Sequence, residues 1–265
     1  MQPDLTVTRR PSAPVLAAAR AVGFDRAALG SRLRAGLAAL GQDESLAERL
    51  LDYLQLLDKW NGVYNLTAVR DPGQMLTQHL FDCLSIVAPL ADRLAGRGDS
   101  PAGRVVDVGS GAGLPGIVLA LAWPRAEVLL VEPVGKKAAF LRQCQAELAL
   151  TNLKIAATRV EVLDEAQRQP APDLIVCRAF ASLADFVVAI DRLAGPATLV
   201  AAMKGVLPID EIAALPPAWA LVEALPLQVT ELDAIRHLLL LRRAAHARSA
   251  DADGPILPVT QQSPP

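Results

Sequence analysis

Three scarcities narrow what this chain can be. It has only three cysteines, Cys83, Cys144 and Cys177, far apart and without a C-x-x-C pair. That excludes a disulfide framework and a structural thiolate–metal site, and it fits a reducing cytosol. Long apolar runs are also missing. The longest uncharged stretch, residues 108–124, is broken by glycines, Ser110 and Pro115, so no membrane-spanning helix is expected. Charge of one sign is scarce too: the net charge of −2 argues against a generic nucleic-acid binder but leaves room for a local basic rim. Hydrophobic residues are abundant. At 265 residues, 52% hydrophobic and 20% charged, the chain can bury a sizeable core in one large domain with an appendage. The expectation is a soluble, cytoplasmic monomer with no metal; Asn65-Leu66-Thr67 spells a glycosylation sequon, but nothing marks the chain as secreted.

The organising stretch is RVVDVGSGAGLPG, Arg104 to Gly116. Val105, Val106 and Val108 form a β-branched run, and Gly109, Gly111 and Gly113 follow at alternate positions. A strand therefore turns sharply into a helix, predicted over 114–122 with Pro115 in its first turn. Glycines at such a turn let the backbone approach a ligand and leave free helix N–H groups facing it. Gly111-x-Gly113-x-x-Gly116 alone also fits a dinucleotide fingerprint. Asp107 favours S-adenosylmethionine instead, because a carboxylate at the strand end repels a diphosphate and suits an ammonium and a sulfonium. The next strand, 127–131, ends in Glu132, 23 residues after Gly109, where an acid can accept both ribose hydroxyls.

Residues 1–40 are an Arg/Ala-rich extension, expected to be partly disordered and of little consequence. Residues 41–100 read as a helical cap and linker. Asp43-Glu44 opens a helix with Leu46, Leu50, Tyr53, Leu54 and Leu57 on one face, ending near residue 62. Asp71-Pro72 starts a second, with Leu76, Leu80, Phe81, Leu84 and Val87 inward. Trp60 and Tyr64 read as core and Asn65 as a turn or cap residue unless they face the glycine loop, where they would be functional, and His79 reads as structural. Gly96 to Pro101 is the linker. Residues 101–243 alternate strands (105–108, 127–131, 153–157, 174–177, 197–203, 220–227, 237–241) with helices (114–122, 135–148, 160–167, 183–193, 208–214). This is an α/β, Rossmann-like open sheet, mostly parallel, with an antiparallel pair at one edge. Residues 244–265 are expected to be a disordered tail.

Such sheets bind ligands beyond the carboxyl ends of their strands. There the five parallel strands deliver, in order, Asp107 with the glycine loop, Glu132 followed by Lys136-Lys137, Arg159, Arg178, and Lys204-Gly205. Acids for a cofactor are ringed by bases suited to RNA.

Six separated motifs, over about residues 43–243, together resemble the bacterial small-subunit ribosomal RNA methyltransferase G family, also called glucose-inhibited division protein B. They are Lys59-Trp60-Asn61, Tyr64-Asn65-Leu66-Thr67, the Asp107–Gly116 stretch, Gly135-Lys136-Lys137, Arg159-Val160-Glu161 and Cys177-Arg178-Ala179-Phe180-Ala181-Ser182-Leu183. The resemblance implies a class I S-adenosylmethionine-dependent methyltransferase fold and methyl transfer to N7 of guanine 527 in the 530 loop of 16S rRNA. It further implies that the cofactor touches Gly109, Leu114, Val160-Glu161 and Arg178, with Asn65 and Arg159 at the guanine pocket. The Glu132-Pro133 pair departs from the family's usual small polar neighbour after the acid.

The residues support this target independently. Exocyclic amine methylation uses an Asn-Pro-Pro-aromatic loop after the fourth strand, and Arg178-Ala179-Phe180-Ala181 stands there instead. Guanine N7 has an in-plane lone pair and no proton, so transfer needs positioning rather than a general base. Arg178 or Asn65 can hold O6; Phe180 can stack on the base or join the core. Cys177 without a proline–cysteine motif does not support cysteine-dependent cytosine chemistry. Two alternatives stay open: a nicotinamide-dependent oxidoreductase and a non-catalytic ribosome-binding protein that keeps the pocket. A basic rim this small points to a structured particle, the 30S subunit or an assembly intermediate, as partner.

Overall fold

A computed structural model describes residues 23–94, 103–178 and 180–244. The cap holds α1 (Arg26–Ala39), α2 (Ala47–Tyr64), α3 (Pro72–Met75), α4 (Asp82–Leu84) and α5 (Val87–Leu94). Asp71 caps α3 with Pro72 in its first turn, as its sequence predicts. The expected single second helix is instead interrupted: a π-helical stretch, Leu76–Phe81, joins α3 to α4. Residues 26–39, placed in the extension by sequence, form a helix with Leu33 and Leu37 fully buried among the cap leucines. Each such leucine contributes about 2 kcal/mol of burial, so α1 is part of the folded body. An acid-poor, alanine-rich composition hid its apolar stripe. Expectations for residues 1–22, the linker at 96–101 and residues 245–265 lie outside the described residues.

The remaining elements are β1 (Arg104–Val108), α6 (Gly116–Ala122), β2 (Glu127–Val131), α7 (Gly135–Glu147), β3 (Leu153–Ala156), α8 (Glu165–Arg168), β4 (Leu174–Arg178), α9 (Leu183–Ala189), β5 (Leu199–Lys204), α10 (Ile209–Ala213), β6 (Trp219–Leu227) and β7 (Arg236–Arg243). The seven strands form one sheet in the order β3-β2-β1-β4-β5-β7-β6. The first five pair parallel; β7 runs antiparallel to β5 and to β6. The expected open sheet with an antiparallel edge is therefore present. Val105, Val128 and Leu130 face the cluster shared with the cap, whereas Val106, Leu129 and Val131 face the other cluster, the alternation that a sheet covered on both sides requires.

Three helix expectations change. The first helix starts at Gly116, not Leu114, because Gly113 and Leu114 donate back to Ser110 O at 2.7 and 3.1 Å and complete the turn. The predicted helix at 160–167 splits into a short 3₁₀ turn, Val160–Val162, and α8: Asp164 and Gln167 form a capping box that begins a new helix. The helix from Leu183 ends at Ala189.

Candidate active site

A cavity of about 600 Å³ lies beyond the carboxyl edge of the sheet. Its floor on one side is the glycine loop. Gly109, Gly111 and Gly113 have φ of +71°, +59° and +87°, the left-handed region that glycine enters without strain. A Cβ on Gly113 would lie 2.4 Å from Ile117, whereas one on Gly109 would meet nothing within 4 Å. Gly113 is therefore locked inward and Gly109 presents an open face. Gly109, Gly111 and Leu114 line the cavity.

Two buried carboxylates hold this loop from behind. Asp107 Oδ2 accepts the Gly116 N–H at 2.9 Å, and a Cβ on Gly116 would sit 2.7 Å from that oxygen. Burial pushes the Asp107 carboxyl up to about 7, against the lowering effects of the Gly116 bond and the Arg178 charge. Asp107 Oδ1 is buried and has no hydrogen-bond partner among the described residues. Glu132 accepts from Gly111 N–H at 2.7 Å and from Val134 N–H at 2.8 Å. Neither acid is on the cavity wall; they shape the loop that is. An unpartnered carboxylate oxygen below an open glycine face fits a ligand carrying positive charge. From the cap, the buried Tyr53 hydroxyl donates to Ala112 O at 2.8 Å and ties α2 to the same loop.

The opposite wall is made of side chains. Arg178, at the end of β4, donates to Gln78 O at 3.2 Å and lies 3.5 Å from Asp82 Oδ2. Arg236, at the start of β7, lies 3.1 Å from Asp82 Oδ1. Burial, reinforced by Arg178, pushes His79 down to about 4, so the ring is neutral at pH 7. Lys137 lines the cavity without a hydrogen bond or ion pair among the described residues.

The structure brings together Gly109, Gly111, Leu114, Lys137, Arg178 and Lys204, but not every expected contact. Lys204 is largely buried and paired with Glu211 at 2.8 Å, because α10 folds back over its strand. Asn65 caps α2 at φ +49° and accepts from Arg70 at 2.5 Å. Lys136 donates to Tyr64 O at 2.9 Å. Arg159 is exposed and paired with Glu161 at 2.9 Å, and Val160 is buried in the core; this trio lies after β3, off the cavity wall. Trp60 is half-buried against Phe140, while Tyr64 is exposed, not core. Phe180 packs on Phe186. Burial pushes the Cys177 thiol well up, which suits a small apolar filler and not a nucleophile.

Thr67, Gln78, Asp82 and Arg236 are wall residues that the sequence pattern does not reveal, and His79, structural by its sequence context, also lines the wall. A signal existed for Arg236. An antiparallel strand begins where its parallel neighbours end, so the first residue of β7 arrives at the carboxyl edge. Among the described residues no helix is long and apolar enough to cross a membrane, and no cluster of three or more His, Cys, Asp or Glu could hold a metal ion.

The family described as rRNA small subunit methyltransferase G (GidB) matches residues 46–239. The ribosomal RNA small subunit methyltransferase G of Burkholderia ambifaria is 49% identical over 84% of this chain and 96% of its own length. That of Burkholderia vietnamiensis is 50% identical over the same shares. The solved structure of TrmN from Thermus thermophilus aligns over 63% of this chain and 53% of its own, at 19% identity and a TM-score of 0.47, too distant to bear on function.

Proposed function

The chain belongs to the rRNA small subunit methyltransferase G family, and from that premise we propose that it methylates N7 of guanine 527, in the 530 loop of 16S rRNA, using S-adenosylmethionine. When bound, that cofactor supplies a methyl group on a sulfonium, which an unprotonated ring nitrogen takes directly. The backbone of Gly109, Gly111 and Leu114 would hold it, the Asp107 carboxylate beneath the loop would be favoured in its charged form by the bound cation, and Glu132, with Val160 and Glu161, would close the nucleoside side. Gly113 keeps the turn tight.

The observation that supports this reading best is the pairing, across one cavity, of an open glycine face with a cationic wall that contains, among the described residues, no ready proton acceptor. His79 is neutral, with one nitrogen facing Arg178. Asp82 is engaged by two arginines. A site built this way orients a nucleophile that needs no deprotonation, and N7 is such a nucleophile. Arg178 donates to the base edge. Asn65, Arg159, Lys136 and Lys137 form the rim toward RNA, where Arg159 and Lys137 are the bases readiest to meet phosphate. The enzyme acts in the cytoplasm, as a monomer, on the 30S subunit or an assembly intermediate.

The test is transfer of tritiated methyl from S-adenosylmethionine to 30S subunits of a strain lacking the modification, compared with naked 16S rRNA. Incorporation into the particle, and much less into naked RNA, is expected. No incorporation, together with a melting temperature raised by NAD(H) and not by S-adenosylmethionine, would overturn the reading.

A further inference from the structure

The loop between α2 and α3 holds a hydroxyl whose hydrogen-bond polarity is decided by its neighbours. Arg178 Nη1 lies 3.4 Å from His79 Nδ1. A guanidinium only donates, so Nδ1 presents its lone pair. In the tautomer that this contact favours, the neutral ring carries its one proton on Nε2. Nε2 is 2.9 Å from Thr67 Oγ1 and in this tautomer donates to it, and the Val69 N–H donates to the same oxygen at 3.2 Å. Both acceptor positions of the hydroxyl are filled, and its proton remains. No acceptor for that proton is found among the described residues, and Thr67 lines the cavity. The loop is pinned: buried Asn61 accepts from Thr67 N–H at 2.9 Å and donates to Val69 O at 2.8 Å.

We propose that Thr67 is a specificity-determining residue that donates its hydroxyl proton to O6 of the target guanine, with His79 as the positioning residue that fixes its polarity. This rests on the N7 transfer proposed above. Guanine and adenine both present N7, but next to it guanine has the O6 acceptor and adenine an amino donor. A hydroxyl held as a donor pairs with the first and opposes the second. Thr67 comes from the cap, beside His79 and Arg178, and not from the glycine loop, which assigns its proton to the base rather than to the cofactor's carboxylate.

The experiment compares the wild-type chain, Thr67→Val and Thr67→Ser on 30S subunits rebuilt with 16S rRNA carrying either guanine or 2-aminopurine at the target. The analogue keeps N7 and lacks O6. Wild type is expected to lose about tenfold in kcat/KM on the analogue. Thr67→Val loses about tenfold on guanine and nothing more on the analogue, Thr67→Ser stays within about twofold of wild type on guanine, and the Kd for S-adenosylmethionine is unchanged in all three. Should Thr67→Val fail to fold, Thr67→Ala takes its place in every arm. Additive losses, a valine or alanine variant as active as wild type, a serine variant as poor as valine, or a shifted cofactor Kd would overturn the assignment. Absence of N7 methyl from the wild-type reaction would instead overturn the reading beneath it.

Discussion

The two sides of the cavity are held by different kinds of contact. On the glycine-loop side, buried carboxylates grip backbone N–H groups over short stretches of chain: Asp107 holds Gly116, nine residues on, and Glu132 holds Gly111, 21 residues back. On the far wall, side chain holds side chain across the whole fold. Asp82 meets Arg178 across 96 residues and Arg236 across 154. The carboxylate grips on the first side form once two neighbouring strands pair, and one buried bond from the cap, Tyr53 to Ala112 O, is added to them. The second exists only when the cap, β4 and the antiparallel edge have all docked.

The comparison is tested most severely at Asp82. Asp82→Ala leaves two mostly buried guanidiniums without their carboxylate and is expected to cost about 3 kcal/mol in urea unfolding; a loss below about 1 kcal/mol would mean that the wall does not depend on this junction. Gly116→Ala should cost less, about 2 kcal/mol, because the added methyl meets Leu130 at 2.2 Å and Asp107. Cofactor affinity should fall with it while Arg178 keeps its partners, and unchanged calorimetric binding of S-adenosylmethionine would separate the loop from the cofactor.

A pH experiment sets the two sides in opposition. Asp107 titrates at about 7 when folded, above its ordinary 3.8. Its contribution to stability is full below pH 4 and is lost as pH rises toward 7. His79 titrates at about 4, below its ordinary 6.5. Its contribution is full above pH 6.5 and is lost as pH falls toward 4. Near pH 5.5 the two slopes oppose each other. Asp107→Asn should make stability rise more steeply with pH, by about 1 kcal/mol per unit, and His79→Asn should change the slope by a similar amount in the other direction. Slopes that move together would contradict one assignment, and the direction of the shared change identifies which. The smallest effect on the fold belongs to Arg159→Ala: an unchanged melting temperature, but weaker 30S binding with a salt slope reduced by about one. A normal slope would remove Arg159 from the RNA rim.

The same difference in range explains what the sequence disclosed. The β-branched run, alternate glycines, following helix and terminal acid of the first two strands lie close together, so Asp107, the glycine loop and Glu132 could be read from spacing. So could the mostly parallel character of the sheet and its antiparallel edge. Asp82 and Thr67 could not. One sits in an apolar helical pattern and the other in a polar loop, and only tertiary docking sets them beside Arg178 and His79. Lys204 shows the converse: a strand-end lysine looked free for RNA until α10 supplied Glu211. The helix α1 was missed for another reason, since its buried leucines stand among arginines and alanines that blur the apolar stripe.

The most direct test is nucleoside mass spectrometry of 16S rRNA from 30S subunits incubated with the purified chain and S-adenosylmethionine labelled in its methyl group. Label found solely on 7-methylguanosine, from the fragment containing the 530 loop, is the predicted result. Label on an exocyclic amine, on another base or nowhere in the RNA would contradict an enzyme that orients an unprotonated nitrogen and uses no base.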